Sequence, residues 1–240
     1  MLRIDDIPQQ VADDIQGYAL IYLRKCDIIK EKGVFTMTPK QMDKFTNHID
    51  NFFEQKDLHV LHPLIVNKMH IDVLVYEPTK KFPFWKLVTM GASDYKMPAI
   101  KGSSLGHHNE YMMFIDGAEN LNDRETIAWY YEKLMLIATY PYETKSHVTY
   151  AHSMEWKNDD PNDEMVGAFI EMPQIIEDVG ILRCKMGLSK NITCLQVVLL
   201  NRQEINHLLK IGPQAFSNYL YPENGDRGHF LSERHRSSKF

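Results

Sequence analysis

The sequence has few cysteines, and they lie far apart. Only Cys26, Cys184 and Cys194 occur among 240 residues, and no two of them form a C-x-x-C pair. A zinc ribbon or a dithiol redox motif is therefore not indicated. An odd number of scattered thiols is typical of reduced cysteines in a reducing compartment, so we expect all three to be free.

Long apolar runs are also missing. No uninterrupted apolar stretch approaches the roughly 20 residues that span a bilayer. Residues 1–8 carry early acidic side chains and lack the apolar region of a secretory signal peptide. The sequence therefore predicts a soluble, cytoplasmic protein that does not contact membranes.

A basic excess is missing as well. The formal net charge is −5, from 32 acidic and 27 basic residues, and this balance disfavours a nucleic-acid-binding face. The hydrophobic fraction of 44% is ordinary for a globular chain. At this length the chain can bury a core without help from disulfides or metals.

The usual catalytic and cofactor motifs are not found. There is no G-x-G-x-x-G, P-loop or H-E-x-x-H sequence. The segment from Gly91 to Tyr95 follows a predicted strand, but Tyr95 stands where a nucleophile elbow needs glycine. We therefore predict a tight strand-exit turn in which Ser93 or Asp94 bonds nearby amides. No catalytic residue and no cofactor are predicted.

Apolar spacing and capping signals predict five helices and six strands. The predicted helices are Pro8–Lys32, Pro39 to about Phe53, Asn122–Pro141, Asn201–Gly212 and Pro213–Leu220. The predicted strands are Ile71–Tyr76, Phe84–Met90, Tyr111–Ile115, His147–Met154, Val166–Glu171 and Ile192–Leu200. Several strands are apolar on both faces, which indicates that helices cover both sides of the sheet. We therefore expect an α+β fold with a mixed or antiparallel central sheet packed by helices.

Three regions are expected along the chain. Residues 1–35 are predicted to form a helical extension, residues 36–222 the main domain, and residues 223–240 a polar tail. In that tail, Arg227, Arg234, Arg236 and Lys239 alternate with acidic residues. This mixture is typical of a solvated, poorly ordered segment.

Histidine and aspartate lie two residues apart at His70 and Asp72. On a strand this spacing puts both side chains on one face, where they can ligate a metal, pair as base and orienter, or form a structural hydrogen bond. No third ligand stands at a diagnostic spacing, so no metal site is predicted. The pairs His107–His108 and His147–His152 are interpreted as loop or strand residues.

Acidic residues cluster between the fourth and fifth predicted strands. Asp159, Asp160, Asp163 and Glu164 form a loop that is either a solvated connection or a docking site for a basic protein partner.

Four stretches together resemble the suppressor-of-fused family. They are His70–Pro78, Trp85–Asp94 with Met97 and Pro98 after it, Asn109–Phe114, and Leu195–Leu200 followed by a helix over Glu204–Lys210. Their order and spacing cover roughly Met42–Leu220 and are most similar to the short, single-domain bacterial members. The resemblance implies a protein-binding domain without established catalytic residues.

The residues that match the family motif are His70, Asp72, Gly91 and Ser93, called the four motif residues below. The resemblance implies that they specify the fold. It also implies a role as an immunity protein that neutralises a toxin of neighbouring cells. The alternatives left open are a metal-dependent or hydrolytic enzyme that uses His70, Asp72 and another histidine, and a scaffolding subunit. The oligomeric state is left open.

Overall fold

The structure is a computed structural model that describes residues 2–3, 18–19, 37–63, 69–99, 106–187, 190–222 and 228–236. The strands in these residues are β1 (Leu2–Arg3), β2 (Tyr18–Ala19), β3 (His59–Pro63), β4 (Asp72–Tyr76), β5 (Phe84–Met90), β6 (Asn109–Asp116), β7 (Ser153–Glu155), β8 (Met165–Glu171), β9 (Arg183–Lys185) and β10 (Asn191–Asn201). The α-helices are α1 (Pro39–Phe53), α2 (Arg124–Thr144), α3 (Arg202–Ile211) and α4 (Pro213–Leu220).

One mixed sheet organises the molecule. Its strand order is β1-β7-β8-β10-β6-β5-β4-β3-β2, and β9 pairs with the beginning of β10. The pairs β10–β6 and β1–β7 are parallel, and the other pairs are antiparallel. The α+β prediction with a mixed sheet is confirmed.

Helices cover both faces of the sheet. Leu87 on β5 and Met113 on β6 belong to the core cluster that contains α2, whereas Val88 and Met112 belong to the cluster that contains α1. Successive strand residues thus point into opposite layers. Every residue of β5 is buried, because both of its faces are covered.

Helix α1 begins as its sequence predicts. The Thr38 hydroxyl accepts from the Gln41 amide, the Gln41 side chain accepts from the Thr38 amide at 2.9 Å, and Pro39 occupies the first turn. This capping box satisfies N–H groups that have no partner inside the helix. The buried stripe of the helix consists of Met42, Phe45, Ile49 and Phe53.

Helix α2 differs from its prediction at both ends. Asp123, rather than Asn122, caps the helix by accepting from the Thr126 amide at 2.9 Å. The helix continues through Pro141 and ends at Thr144, so the predicted stop at proline is wrong. Proline costs a helix one hydrogen bond. Here Pro141 is buried, and its carbonyl oxygen accepts from the amides of Lys145 and Ser146 at the end of the helix.

The predicted strand His147–Met154 is too long. Only β7, Ser153–Glu155, is a strand, and the residues before it form a turn in which Ala151 has a φ of 65°. That left-handed conformation interrupts an extended strand. The Ala151 amide still donates to the Ile170 carbonyl at 2.8 Å, which keeps the turn attached to β8.

The last two helices confirm their sequence signals. Asn201 and Glu204 form a complete capping box at the start of α3. Gly212 then takes a φ of 82°, and Pro213 opens α4. A glycine that ends one helix and a proline that starts the next are the expected residues at such a junction.

The predicted N-terminal helix is wrong at the two residues of its span that the structure describes. Tyr18 and Ala19 form β2, which pairs antiparallel with Pro63 and His62 of β3. Tyr18 begins a run of six apolar residues that also fits a buried strand, and short apolar runs do not separate the two alternatives. The rest of the predicted helix lies outside the described residues.

Residues 228–236, called the tail segment below, are not the solvated chain that the composition predicts. Phe230, Leu231 and Ser232 are buried against the sheet, and the Ser232 amide donates to the Phe114 carbonyl at 2.7 Å. Arg236 is 5% exposed and forms an ion pair with buried Glu204 at 2.8 Å. The composition of a polar segment predicts solvent exposure because its partners elsewhere in the folded chain are not visible in the sequence.

Two predictions, on membrane-spanning segments and on the cysteines, are compared with the described residues. None of their helices has the length and apolar character needed to cross a bilayer. Cys184 and Cys194 are buried and free, as expected, and Cys26 lies outside the described part of the chain.

Candidate functional site

The turn that follows β5 is built around one buried carboxylate. Glu110 on β6 is fully buried and accepts from the backbone amides of Gly91 at 2.8 Å, Ala92 at 3.2 Å and Ser93 at 3.0 Å. The Thr89 hydroxyl donates to it at 2.6 Å. We call this arrangement the Glu110 cradle. It corrects the expectation that Ser93 or Asp94 would bond these amides.

Burial dominates the electrostatics of the Glu110 cradle. It raises the pKa of Glu110 from 4.5 to about 7, and the hydrogen bonds from Thr89, Ser93 and Gly91 limit the rise. All four donors are neutral, so they solvate the carboxylate without supplying a countercharge.

Gly91 is required by geometry. Its φ of 129° is a conformation that side chains with a Cβ rarely adopt, and a Cβ there would lie 2.2 Å from the His70 carbonyl oxygen. The close contact joins the turn after β5 to the residues that lead into β4. The motif residues Gly91 and His70 are therefore backbone neighbours.

The second buried carboxylate lies beside two imidazole rings. The His62 Nδ1 atom and the His70 Nε2 atom each lie 2.8 Å from the same Asp72 Oδ1 atom. Asp72 is fully buried, and the histidine side chains are 17% and 18% exposed. We call His62, His70 and Asp72 the Asp72 triad. The predicted His70–Asp72 proximity is confirmed, and His62 is the third group that the sequence analysis did not find.

The Asp72 triad favours the ionised carboxylate. Burial acts to raise the pKa of Asp72, but hydrogen bonds from His62 and His70, together with the attraction of their charged forms, lower the pKa below its usual range. The buried Tyr131 hydroxyl lies near enough that the Asp72 charge adds to the effect of burial in raising its pKa.

The remaining predicted histidines occupy other places. His108 Nδ1 lies 2.7 Å from the Ser93 carbonyl oxygen and supports the turn of the Glu110 cradle. His107, His147 and His152 form a second histidine cluster, with ring centroids 6.1 and 6.4 Å apart between successive rings. Burial, and then the neighbouring His147, lower the pKa of His152.

The predicted acidic loop is divided in two by its contacts. Asp159, Asp160 and Glu164 are exposed. Asp163 instead forms an ion pair with Lys133 at 2.7 Å and accepts from the Trp129 indole at 3.0 Å. Asp163 therefore fixes the loop to α2, and three carboxylates remain accessible to a partner. The loop borders a cleft of about 460 Å³.

A larger groove of about 1050 Å³ lies at the other side of the fold, between α1 and the tail segment. Its apolar walls include Phe52, Phe84 and Phe230. Its rim carries the basic residues Lys80 and Lys81 as well as acidic groups, so it shows no single sign of charge.

The structure brings together His70, Asp72 and Gly91, and Ser93 follows in the same turn. The acidic loop lies apart from them, between the end of β7 and the start of β8. Two residues important for this region were not singled out from the sequence. Glu110 is a charged residue directly before the apolar run Tyr111–Ile115 of β6, which is a usable signal. His62 is detectable only from the antiparallel pairing of β3 with β4, in which Leu61 lies opposite Val73.

Three solved structures of suppressor-of-fused proteins have a similar fold. The crystal structure of the Sufu–Fu complex matches with a TM-score of 0.59 and 11% identity, over 82% of this chain and 91% of that chain. Drosophila Suppressor of Fused matches with a TM-score of 0.59 and 12% identity, over 85% of this chain and 53% of its own. A SUFU homologue from Neisseria gonorrhoeae matches with a TM-score of 0.56 and 12% identity, over 83% and 96% of the two chains.

The family follows from the sequence. The model of the family described as "Suppressor of fused protein (SUFU)" matches residues 67–228, and this chain belongs to that family. The predicted family is thereby confirmed. The comparison with curated protein sequences finds no significant match.

Proposed function

We propose that this chain is a non-catalytic, cytoplasmic protein-binding domain, and that it neutralises a toxin domain as an immunity protein. The observation that carries the proposal is membership of the SUFU family. It is supported by the shared fold with a protein solved in the Sufu–Fu complex, which has another protein as its partner.

The four motif residues support a binding role because they are engaged inside the fold. Gly91 and Ser93 donate their amides to Glu110, and His70 bonds Asp72. Ser93 is fully buried, which makes it a poor nucleophile for an external substrate. Together these residues fix the start of β4 and the end of β5. We therefore assign partner recognition to the surface of the protein.

The acidic loop is the proposed recognition surface. Asp159, Asp160 and Glu164 are exposed, whereas Asp163 holds the loop in place through Lys133. A loop that is ordered before binding loses less conformational entropy when it binds. A fixed cluster of negative charge on an acidic protein attracts a basic partner and speeds association.

Affinity capture identifies the partner. The protein is used as bait against lysate of its own cells and against the secretions of neighbouring strains, with mass spectrometry as the readout. We expect one stoichiometric basic protein with a toxin-like domain, whose toxicity is lost when the two are mixed. A folded bait that captures nothing from either source contradicts the immunity role.

The acidic loop is tested with the purified partner. We expect the triple variant D159S/D160S/E164S to associate about tenfold more slowly at low salt, because the steering charge is removed. The difference should shrink at high salt, because ions screen exposed charges. Stopped-flow or surface-plasmon-resonance kinetics at two salt concentrations measure both effects.

A matched control changes the same net charge elsewhere. Asp43, Asp57 and Glu143 are exposed and lie on or beside α1 and α2. If D43S/D57S/E143S slows association as much as the loop variant does, total charge matters and the loop has no special role. An unchanged affinity in the loop variant rules the loop out.

A second candidate function, metal-dependent hydrolysis, is favoured by one observation. The sequence offered His70 and Asp72 without a third ligand, and the structure supplies His62. The test is turnover of ester and phosphoester substrates by protein loaded with Zn²⁺ or Mn²⁺. Turnover that is lost in H70N supports this function, and turnover equal in H70N and the unmodified protein contradicts it.

A further inference from the structure

Three metal-ligating side chains converge where β3 and β4 lie side by side. His62 is on β3, Asp72 is the first residue of β4, and His70 precedes it by two positions. Antiparallel pairing sets Leu61 opposite Val73, which makes His62 and Asp72 cross-strand neighbours one position further along. The backbone of two adjacent strands therefore fixes the spacing of the three groups.

The donor atoms are close enough for one ion. One ligand atom of each of the three residues lies within 4.8 Å of the other two, and no other such group of histidine, cysteine, aspartate or glutamate occurs among the described residues. Metal–ligand bonds of about 2.0–2.2 Å in a tetrahedral site separate the ligand atoms by about 3.4 Å. The two N–O distances of 2.8 Å must therefore lengthen by roughly half an ångström.

The carboxylate has unused bonding capacity. Both rings contact Oδ1 of Asp72, whereas its Oδ2 atom is buried and has no hydrogen-bond partner among the described residues. An unpartnered oxygen on a fully buried carboxylate is costly. A cation between the three side chains satisfies this carboxylate without further donors.

We propose that His62, His70 and Asp72 bind one divalent transition-metal ion of the zinc class. Two imidazole nitrogens and one carboxylate oxygen suit Zn²⁺, Co²⁺ and Ni²⁺, whereas Mg²⁺ and Ca²⁺ prefer sites made only of oxygen. In binding, the ion replaces the N–H groups that face Asp72, so each ring carries its proton on its other nitrogen. A fourth position is left for water on the side where the rings reach solvent.

The site goes beyond the proposed protein-binding function and does not depend on it. Metal can bind whether or not the acidic loop recognises a partner, and the two properties are measured in separate assays. A metal-free, purely hydrogen-bonded Asp72 triad is the competing explanation. The second histidine cluster, at His107, His147 and His152, is a competing location for any metal that does bind.

The experiment uses the full chain without a histidine tag, stripped with a chelator. Calorimetric titration with Zn²⁺ should give one equivalent bound with a Kd of roughly micromolar or tighter. Co²⁺ should give the visible absorption bands of a tetrahedral nitrogen and oxygen site, and Mg²⁺ should give no binding. H62N and H70N should each bind Zn²⁺ at least about tenfold more weakly.

Two histidine controls locate the ion. His59 is on the same strand as His62 but more exposed, and His152 belongs to the second cluster. H59N and H152N should bind Zn²⁺ as the unmodified protein does. If H152N loses the ion and H62N keeps it, the site is the second cluster and the proposal is wrong. Absent or non-stoichiometric binding by folded, unmodified protein also overturns it.

Thermal denaturation guards against misfolded variants. Zn²⁺ should raise the Tm of the unmodified protein, because an ion that binds only the folded state stabilises it. The increase should be lost in H62N and in H70N, whose side chains are 17% and 18% exposed and therefore tolerate substitution better than fully buried Asp72. An equal increase in H62N contradicts the assignment.

Discussion

The Glu110 cradle and the Asp72 triad each contain one buried carboxylate, and the close contact between Gly91 and His70 joins the two sites. The two carboxylates differ in their hydrogen-bond partners. Glu110 is surrounded by neutral donors, whereas Asp72 contacts two side chains that can carry a positive charge. Burial raises the pKa of Glu110 to about 7, and the histidines lower the pKa of Asp72.

The difference in partners indicates a different role for each carboxylate. Both oxygens of Glu110 accept hydrogen bonds, so its bonding capacity serves the turn. Asp72 concentrates its contacts on one oxygen, which leaves capacity for a ligand. Full burial of a carboxylate alone does not distinguish a structural group from a binding group, but the kind and number of its donors does.

The largest effect on stability is expected from G91A, which changes the backbone at the contact between the two sites. The added Cβ requires a strained φ and lies 2.2 Å from the His70 carbonyl oxygen. We expect a loss of about 3 kcal/mol or more in the free energy of unfolding. Urea denaturation measures it. Exposed Gly187 has open space around its Cβ position, so G187A is the control and should change stability little.

E110Q should have the next largest effect. Near pH 5 the protonated Glu110 has one O–H, which can donate to the Thr89 hydroxyl oxygen, whereas a glutamine amide places two N–H groups among the backbone donors. We expect this to cost about 1–3 kcal/mol. The folded-state pKa of Glu110 is raised above 4.5, so its contribution is complete below pH 4.5 and is lost as the pH rises through about 7. The advantage of the unmodified protein over E110Q should therefore narrow between pH 4.5 and 7 in urea titrations.

A control at exposed Glu143 makes the E110Q result specific. E143Q changes the same charge on the surface of α2, and it should leave both stability and its pH dependence nearly unchanged. If the difference in unfolding free energy between E110Q and the unmodified protein widens as the pH rises, the role given to Glu110 is wrong.

D72N should have the smallest effect of the three and the opposite pH dependence. Its amide oxygen still accepts from His62 and His70, so only the charge-assisted part of those bonds is lost, about 1–2 kcal/mol at pH 7. The lowered folded-state pKa of Asp72 means that the contribution is present above pH 3.8 and is lost as the pH falls through the folded value.

The two variants are most informative when they are measured under the same conditions. Denaturant titrations from pH 3 to 8 should show the advantage over D72N disappearing in acid and the advantage over E110Q largest in acid. If both differences follow pH in the same direction, the two carboxylates do not differ in the way that their partners indicate.

Local signals in the sequence predicted much of the fold. The capping boxes at Thr38 and Asn201 placed two helix starts correctly, because a cap needs only residues three positions apart. The central strands were predicted because apolar residues on both faces are typical of a covered sheet. Pro141 was misread because proline disfavours a helix locally, and its burial in the folded chain is not visible in the sequence.

The candidate site was predicted only where it is local. His70 and Asp72 are two residues apart, and their proximity follows from the spacing. His62 reaches the same carboxylate through pairing between strands, and Arg236 reaches Glu204 from the tail segment. Such contacts depend on the folded topology, which one sequence does not reveal.

The parallel pair formed by β6 and β10 has a consequence for how the protein is made. Between these strands the chain forms α2, β7, β8 and β9, so ribosomes that add roughly 5–20 residues per second need several seconds to deliver β10. During that time β6 lacks its partner strand on one side, although almost all of its residues are buried in the finished fold. The nascent chain therefore exposes an apolar strand edge. We expect aggregation during synthesis, rather than weak final stability, to limit the yield of this protein.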